Sequence, residues 1–186
     1  MSTFMSGGEA AGMEAAAAPP SDALVDLVDK IEKSECYARN ESSRYPMTNL
    51  FIGDARLGCQ SDADEELIVH VVFQEFVKLK SLQLTEFLPL QPEMRPTRIH
   101  LFVNRNNLGF EDIQDVEPTQ TLDLTAADLA ENADPLELKY VLFQRVKSVT
   151  IFVEENAGGE VSALGGIKFM GRTVATTNMK DFKKQG

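Results

Sequence analysis

The chain of 186 residues has no tryptophan, two cysteines, two histidines and three tyrosines. Cys36 and Cys59 are too few for a disulfide framework. They form no Cys-x-x-Cys pair, so a dithiol oxidoreductase would lack its second sulfur nearby. His70 and His100 each sit at an alternate position of an apolar run. To bind a metal they would have to meet across neighbouring strands and recruit a cysteine, and their spacing gives no sign of that. The plain reading is two strand histidines, with any role of the thiols regulatory at most. Gly-x-Ser-x-Gly, phosphate-loop and zinc-ligand spacings are all missing. So is any apolar run near the roughly 20 residues of a membrane span. Positive charge is scarce as well. Acids outnumber bases 29 to 18, for a formal net charge of -11. That balance excludes a general nucleic-acid binder, which needs a basic face to displace counterions, and docking on anionic membranes. The expectation is a protein without catalytic residues, cofactor or metal.

What is present supports one packed domain, since 43% of the residues are hydrophobic. Residues 1–20 are Ala, Gly, Ser and Met ending in Pro19-Pro20, and read as a disordered arm. With no basic segment ahead of an apolar one, an export signal is not expected; Glu9, Glu14 and the lack of arginine oppose a mitochondrial address. The expected compartment is the cytoplasm or also the nucleus, where both thiols stay reduced. After the arm, Leu24, Leu27, Val28 and Ile31 recur at helical spacing behind Ser21 or Asp22 as cap, which predicts a helix.

From Asn49 onward the period is two. Leu67, Val69, Val71 and Phe73 alternate with Ile68, His70 and Val72; Ile99, Leu101 and Val103 with Arg98, His100 and Phe102; Leu138, Tyr140 and Leu142 with Lys139, Val141 and Phe143; Val149, Ile151 and Val153 with Thr150 and Phe152. Several of these strands are apolar on both faces, as expected where two sheets pack or a loop covers the outside. Between Val77 and Phe87 the phase slips, because Val77 and Leu79 have one parity and Leu82 and Leu84 the other. A bulge near Lys80 and Ser81 reconciles them. Pro89, Pro92 and Pro96 mark a long turn, and Thr125 to about Glu131 reads as a short helix ended by Asp134-Pro135. The predicted fold is all-β: an antiparallel β-sandwich of jelly-roll type with short peripheral helices. Leu67, Val69, Leu101, Val103, Tyr140, Leu142, Val149 and Ile151 are expected in its core.

Two acidic stretches stand out. Asp62, Asp64, Glu65 and Glu66 bunch before a strand and could hold calcium, but the spacing is not that of an EF-hand. Residues 111–137 carry nine acids and no Lys or Arg, which reads as one negative face able to steer a basic partner. Glu111, Asp112, Asp115, Glu117, Asp123 and Asp128 are its candidate partner-binding residues.

Several of these segments, in order, resemble one known family. Ser61-Asp62-Ala63-Asp64-Glu65-Glu66-Leu67, Glu117-Pro118-Thr119-Gln120 with Leu122-Asp123-Leu124, the run from Phe143-Gln144-Arg145 through Ile151-Phe152-Val153, Ser34-Glu35-Cys36 through Asn40-Glu41-Ser42, and Ala175-Thr176-Thr177-Asn178 through Phe182-Lys183 all look like motifs of the PITH domain. The resemblance implies a β-sandwich similar to galactose-binding modules, over residues 21–183 with a short tail at 184–186. In the thioredoxin-like parent, an N-terminal thioredoxin domain carries the redox chemistry and the PITH domain attaches it to the 26S proteasome. Compared with the parent, these 186 residues are expected to be a form without the thioredoxin domain and with the basic tail cut to Lys183-Lys184-Gln185-Gly186, and Ala63 stands where the family has cysteine. The resemblance therefore implies a stand-alone, monomeric, non-enzymatic adaptor or regulator whose protein partner is the 26S proteasome. The alternative is a sandwich that holds a sugar or peptide on loops at one end of its strands. The lack of tryptophan weighs against a sugar, because sugar sites usually stack on aromatic faces.

Overall fold

The computed structural model describes residues 23–88 and 91–174. The expected disordered arm at 1–20, the motif at 175–183 and the tail at 184–186 lie outside the described residues. Among the described residues ten strands run in chain order: β1 Val25–Asp26, β2 Tyr37–Arg39, β3 Cys59–Gln60, β4 Leu67–Thr85, β5 Pro96–Val103, β6 Gln120–Asp123, β7 Leu136–Glu137, β8 Val146–Asn156, β9 Ala163–Leu164 and β10 Gly166–Thr173. All pairings between them are antiparallel. No α-helix occurs among the described residues, where the helical turns are all of the tighter 3-10 kind. None could cross a membrane.

The 19-residue β4 organises the fold. Its first half pairs with β2 on one side and β8 on the other, and β5 and β6 continue that sheet beyond β8. Its second half pairs with β10 and β7, and β1 adds to the far edge of β10. One strand thus joins the two halves of a single eight-stranded sheet. Leu67, Val69 and Val71 from the first half, with Ile99, Leu101, Val149 and Ile151 beside them, meet Leu82, Leu84, Ile167 and Phe169 in a single core. The opposite parity, Ile68, Phe102 and Phe152, is buried too, under Leu108 and Ile113 of the loop that leaves β5. That is the covering loop anticipated from strands apolar on both faces.

The phase slip in β4 is a bulge at the expected place. Met170 of β10 pairs with Ser81, but the next residue, Gly171, pairs with Leu79, so Lys80 has no partner on β10. Gly171 is required there, because a Cβ would collide with the Lys78 carbonyl. A second, wider bulge lies between Val72 and Val77, which face Ser148 and Val146 of β8.

Three expectations are corrected. The segment 24–31 is no helix: Val25 and Asp26 pair with β10, Leu27–Lys30 is one 3-10 turn capped by Asp26, and Ile31 bridges to Phe73. A short helix is costly to nucleate, and the open edge of β10 offers the same residues backbone partners. Leu27 and Ile31 are buried either way, so their spacing could not discriminate. The run 138–142 is no strand. The edge of β4 at Ser81 and Leu82 is already taken by β7, and Tyr140–Leu142 turns so that the Phe143 carbonyl can accept from Leu79 N–H. Tyr140 is therefore only half-buried and Leu142 exposed, against expectation, while Leu138 and Phe143 are the residues that enter the core. The helix expected over 125–131 is only the 3-10 turn Ala127–Leu129. Its Thr125–Asp128 cap does form: Thr125 N–H and Oγ both donate to the Asp128 carboxylate, at 2.8 and 3.0 Å.

Candidate interaction surfaces

The acidic residues before β4 are built around Asn40. Its backbone sits in the left-handed region, φ 70°, which asparagine tolerates better than most residues. Its amide donates to Asp64 Oδ1 at 3.0 Å and to the Glu66 carbonyl at 2.6 Å, and its Oδ1 accepts from Ala63 N–H at 3.0 Å. Asp64 Oδ1 also accepts from Glu66 N–H. The Asp64 carboxylate is spent on shaping the loop. Among the described residues no group of three or more His, Cys, Asp or Glu is placed to hold a metal. Partial burial and the neighbouring acids push the Glu66 carboxyl up from its ordinary value.

The two histidines do not meet, because β8 lies between their strands. His70 is 2% exposed, stacks on Tyr37 and bonds Thr150 Oγ1 through Nδ1 at 2.8 Å. Thr150 Oγ1 donates to the Arg105 carbonyl, so it accepts from His70 Nδ1–H and leaves Nε2 as an acceptor. Burial, with Arg39 nearby, lowers the His70 pKa and favours this neutral form. His100 is held between Thr121 Oγ1 at 2.7 Å and Glu154 Oε1 at 2.6 Å. Both histidines therefore serve the sheet. Burial raises both thiols, Cys36 above its usual value and Cys59 to about 12, which is the reverse of an activated nucleophile.

A groove of about 640 Å³ crosses the outer face of the first sheet, between Tyr37, His70, Phe76, Ser148 and the turn 104–107. Asn104, at φ 58°, anchors that turn: its Oδ1 accepts from the Lys147 and Ser148 N–H groups and its Nδ2 donates to the Arg145 carbonyl. The aromatic rings that line the groove are engaged, Tyr37 with His70 and Arg39, and Phe76 with Arg145.

The candidate acids of 111–137 lie on separate elements. Glu111, Asp112 and Asp115 are exposed on the turn that Ile113 pins over Phe102 and Phe152. Asp112 accepts from Gly109 N–H at 3.1 Å. Asp123, on β6, faces Arg98 of β5 at 2.7 Å, a neutralising partner from outside the run. Asp128 caps its own turn, whose Leu129 carbonyl accepts from Glu86 N–H just beyond β4. Glu111, Asp115 and Glu117 are exposed, and their side chains make no hydrogen bond or ion pair among the described residues. In the sequence Asn40 stands out only as part of a family motif, and Asn104 not at all. Their signal, an asparagine at a loop position of positive φ, depends on backbone conformation.

The PITH domain model matches residues 17–186. The chain belongs to the PITH domain family. Thioredoxin-like protein 1 of Schizosaccharomyces pombe is 28% identical over 169 residues, which cover 89% of this chain and 57% of that protein. PITH domain-containing protein 1 of Danio rerio is 35% identical over 101 residues, 54% of this chain and 45% of the relative. The chain thus spans about half the length of the curated relatives it matches. The PITH domain also shares its fold with galactose-binding-like sandwiches. The family 32 CBM of Clostridium perfringens NanJ, solved in complex with galactose, superposes with a TM-score of 0.56 at 9% identity, over 80% of this chain and 99% of that one. The F5/8 type C domain of a Bacteroides fragilis protein gives 0.56 at 12% identity, over 84% and 100%. At such identities the likeness concerns the fold alone. PITH and these sandwiches are non-catalytic kinds of domain.

Proposed function

We propose that this PITH domain is a non-enzymatic protein-interaction module that joins the 26S proteasome as an adaptor or regulator, working as a monomer in the cytoplasm and nucleus. The observation that carries the reading is the family match across nearly the whole chain, since the PITH family takes its name from a proteasome-interacting, thioredoxin-like protein. The chemistry of the fold supports it. The thiols are raised by burial, the histidines are held by threonines and a carboxylate, and Asp64 with Asn40 holds the loop before β4 together. In this reading Glu111, Asp112, Asp115, Glu117, Asp123 and Asp128 help to choose the partner. Glu111, Asp115 and Glu117, with no bonds among the described residues, are the ones best placed to steer it.

The galactose seen on the NanJ module is not carried over, because the rings lining the groove already stack on protein groups. The test is direct binding. Tagged full-length protein is mixed with purified 26S proteasome and run on a native gradient. Co-sedimentation with the 26S peak supports the reading. Migration of all of the protein as a free monomer, at micromolar concentration and low salt, would refute it.

A further inference from the structure

The most exposed large apolar side chain among the described residues is Val141, at 81%, followed in sequence by Leu142 at 48%. They cap the turn Tyr140–Leu142, and positive charge from distant parts of the chain gathers around it. Lys80 Nζ lies 5.5 Å from the centre of the Tyr140 ring, and Arg172 donates to the Tyr140 hydroxyl at 3.2 Å. Lys78 is the cross-strand neighbour of Arg172. Lys139 opens the turn, and Arg145 follows it, stacked on Phe76. In a chain of net charge -11 such a cluster is unexpected. Lys80 does find Glu137 at 3.5 Å, but Lys78, Lys139 and Arg145 have no ion pair among the described residues.

We propose that this turn is a docking site for an acidic protein segment that carries one large apolar side chain, the apolar group covering Val141 and Leu142 and the acids meeting Lys78, Lys139 and Arg145. The occupant follows from charge complementarity. Unpaired cations around an exposed aliphatic pair favour a partner of opposite charge with an apolar anchor, because both terms are then satisfied by one ligand. The chain's own residues 175–186 fit poorly, since they hold three lysines and one aspartate. The inference rests on the interaction-module reading but not on the proteasome as the partner.

The probe is a fluorescein-labelled acidic dodecamer, Asp and Glu flanking a central Leu-Phe, titrated with full-length protein and read by anisotropy. Two control peptides replace Leu-Phe by Ser-Ser, or the acids by lysines. Expected are saturable binding of the first peptide only, at least tenfold weakening by Val141→Asp and by the pair Lys139→Glu with Arg145→Glu, and weakening as salt rises. Val141→Ser, the gentler exposed change, must weaken binding with the melting temperature intact, which separates docking from misfolding. Equal binding of the serine peptide, or wild-type affinity in both charge-reversed and Val141 variants, overturns the proposal. Salt-sensitive self-association of the protein, abolished by the same substitutions and without peptide binding, would assign the turn to a second copy and overturn it equally. The outcome is independent of the gradient experiment, so this site and the proteasome assignment can fail separately.

Discussion

Residues 111–137 and residues 139–147 adjoin in the chain, and the fold treats their charges in opposite ways. The first stretch carries nine acids in sequence, yet the structure disperses them. Asp112 bonds Gly109, Asp123 faces Arg98, and Asp128 caps a turn at the other end of the molecule's long strand. The second stretch has only Lys139, Arg145 and Lys147, yet the turn within it becomes a centre of positive charge, because β4 and β10 bring Lys78, Lys80 and Arg172 beside it. Local composition is therefore a poor guide to surface potential in a sandwich, where residues adjacent in space come from strands far apart in the chain.

The sharpest way to break this arrangement is to loosen the turn from below. Phe143 is fully buried and its carbonyl accepts from Leu79 N–H at 3.0 Å. Phe143→Ala should cost roughly 3–5 kcal/mol in denaturant unfolding, while Val141→Ala, two residues away, should change stability by less than about 0.5 kcal/mol. Similar losses from both would mean that Val141 is covered in solution. Asn40→Ala tests the acidic loop before β4 in the same way. It removes three hydrogen bonds and leaves alanine at φ 70°, at a cost of roughly 2–4 kcal/mol. Asn40→Gly, free of the backbone strain, should recover part of that loss.

A smaller effect concerns pH. The native pKa of His70 is depressed, so at acid pH the unfolded chain takes up a proton that the native one refuses. Stability that is intact above the unfolded histidine value of about 6.5 should fall as the pH drops from there toward the native value. His70→Gln should flatten that part of the stability-against-pH curve even if it lowers the whole curve. An unchanged slope would show that His70 protonates freely. Least affected of all should be the triple variant Glu111→Lys, Asp115→Lys, Glu117→Lys. Its melting temperature should stay within about 2 °C of wild type, since these side chains bond nothing among the described residues, while capture by the partner slows at low salt. A large drop in melting temperature would place them in contacts the structure does not contain.

Much of the fold was legible because strand parity is a local property. The slip between Leu79 and Leu82 pointed to the bulge at Lys80, and the strands apolar on both faces pointed to packed sheets or a covering loop, of which the loop is what buries Ile68, Phe102 and Phe152. The errors arose where a non-local edge decided the outcome. Leu24, Leu27, Val28 and Ile31 fit a helical stripe, but the free edge of β10 claimed Val25 and Asp26. The alternation through Leu138, Tyr140 and Leu142 fits a strand, but β7 already occupied the place where it would have paired. The surfaces were less legible still. Arg98 as the partner of Asp123 and the cations around Tyr140 depend on strand order, which periodicity does not contain.

The place of β4 in both halves of the eight-stranded sheet has a kinetic consequence. Its nineteen residues hydrogen-bond to β2, β8, β10 and β7, elements spread from residue 37 to residue 173. Neither half of the sheet can open without stripping partners from the strand that also holds the other half, so the amides along its middle should exchange with solvent only through global unfolding. The same strand must wait for partners from both ends of the chain before it is satisfied. Folding dominated by such distant pairings is slow, and during it a long apolar ribbon stays open to wrong partners. The domain therefore has a rigid, all-or-none native state whose most hazardous moment is its own assembly.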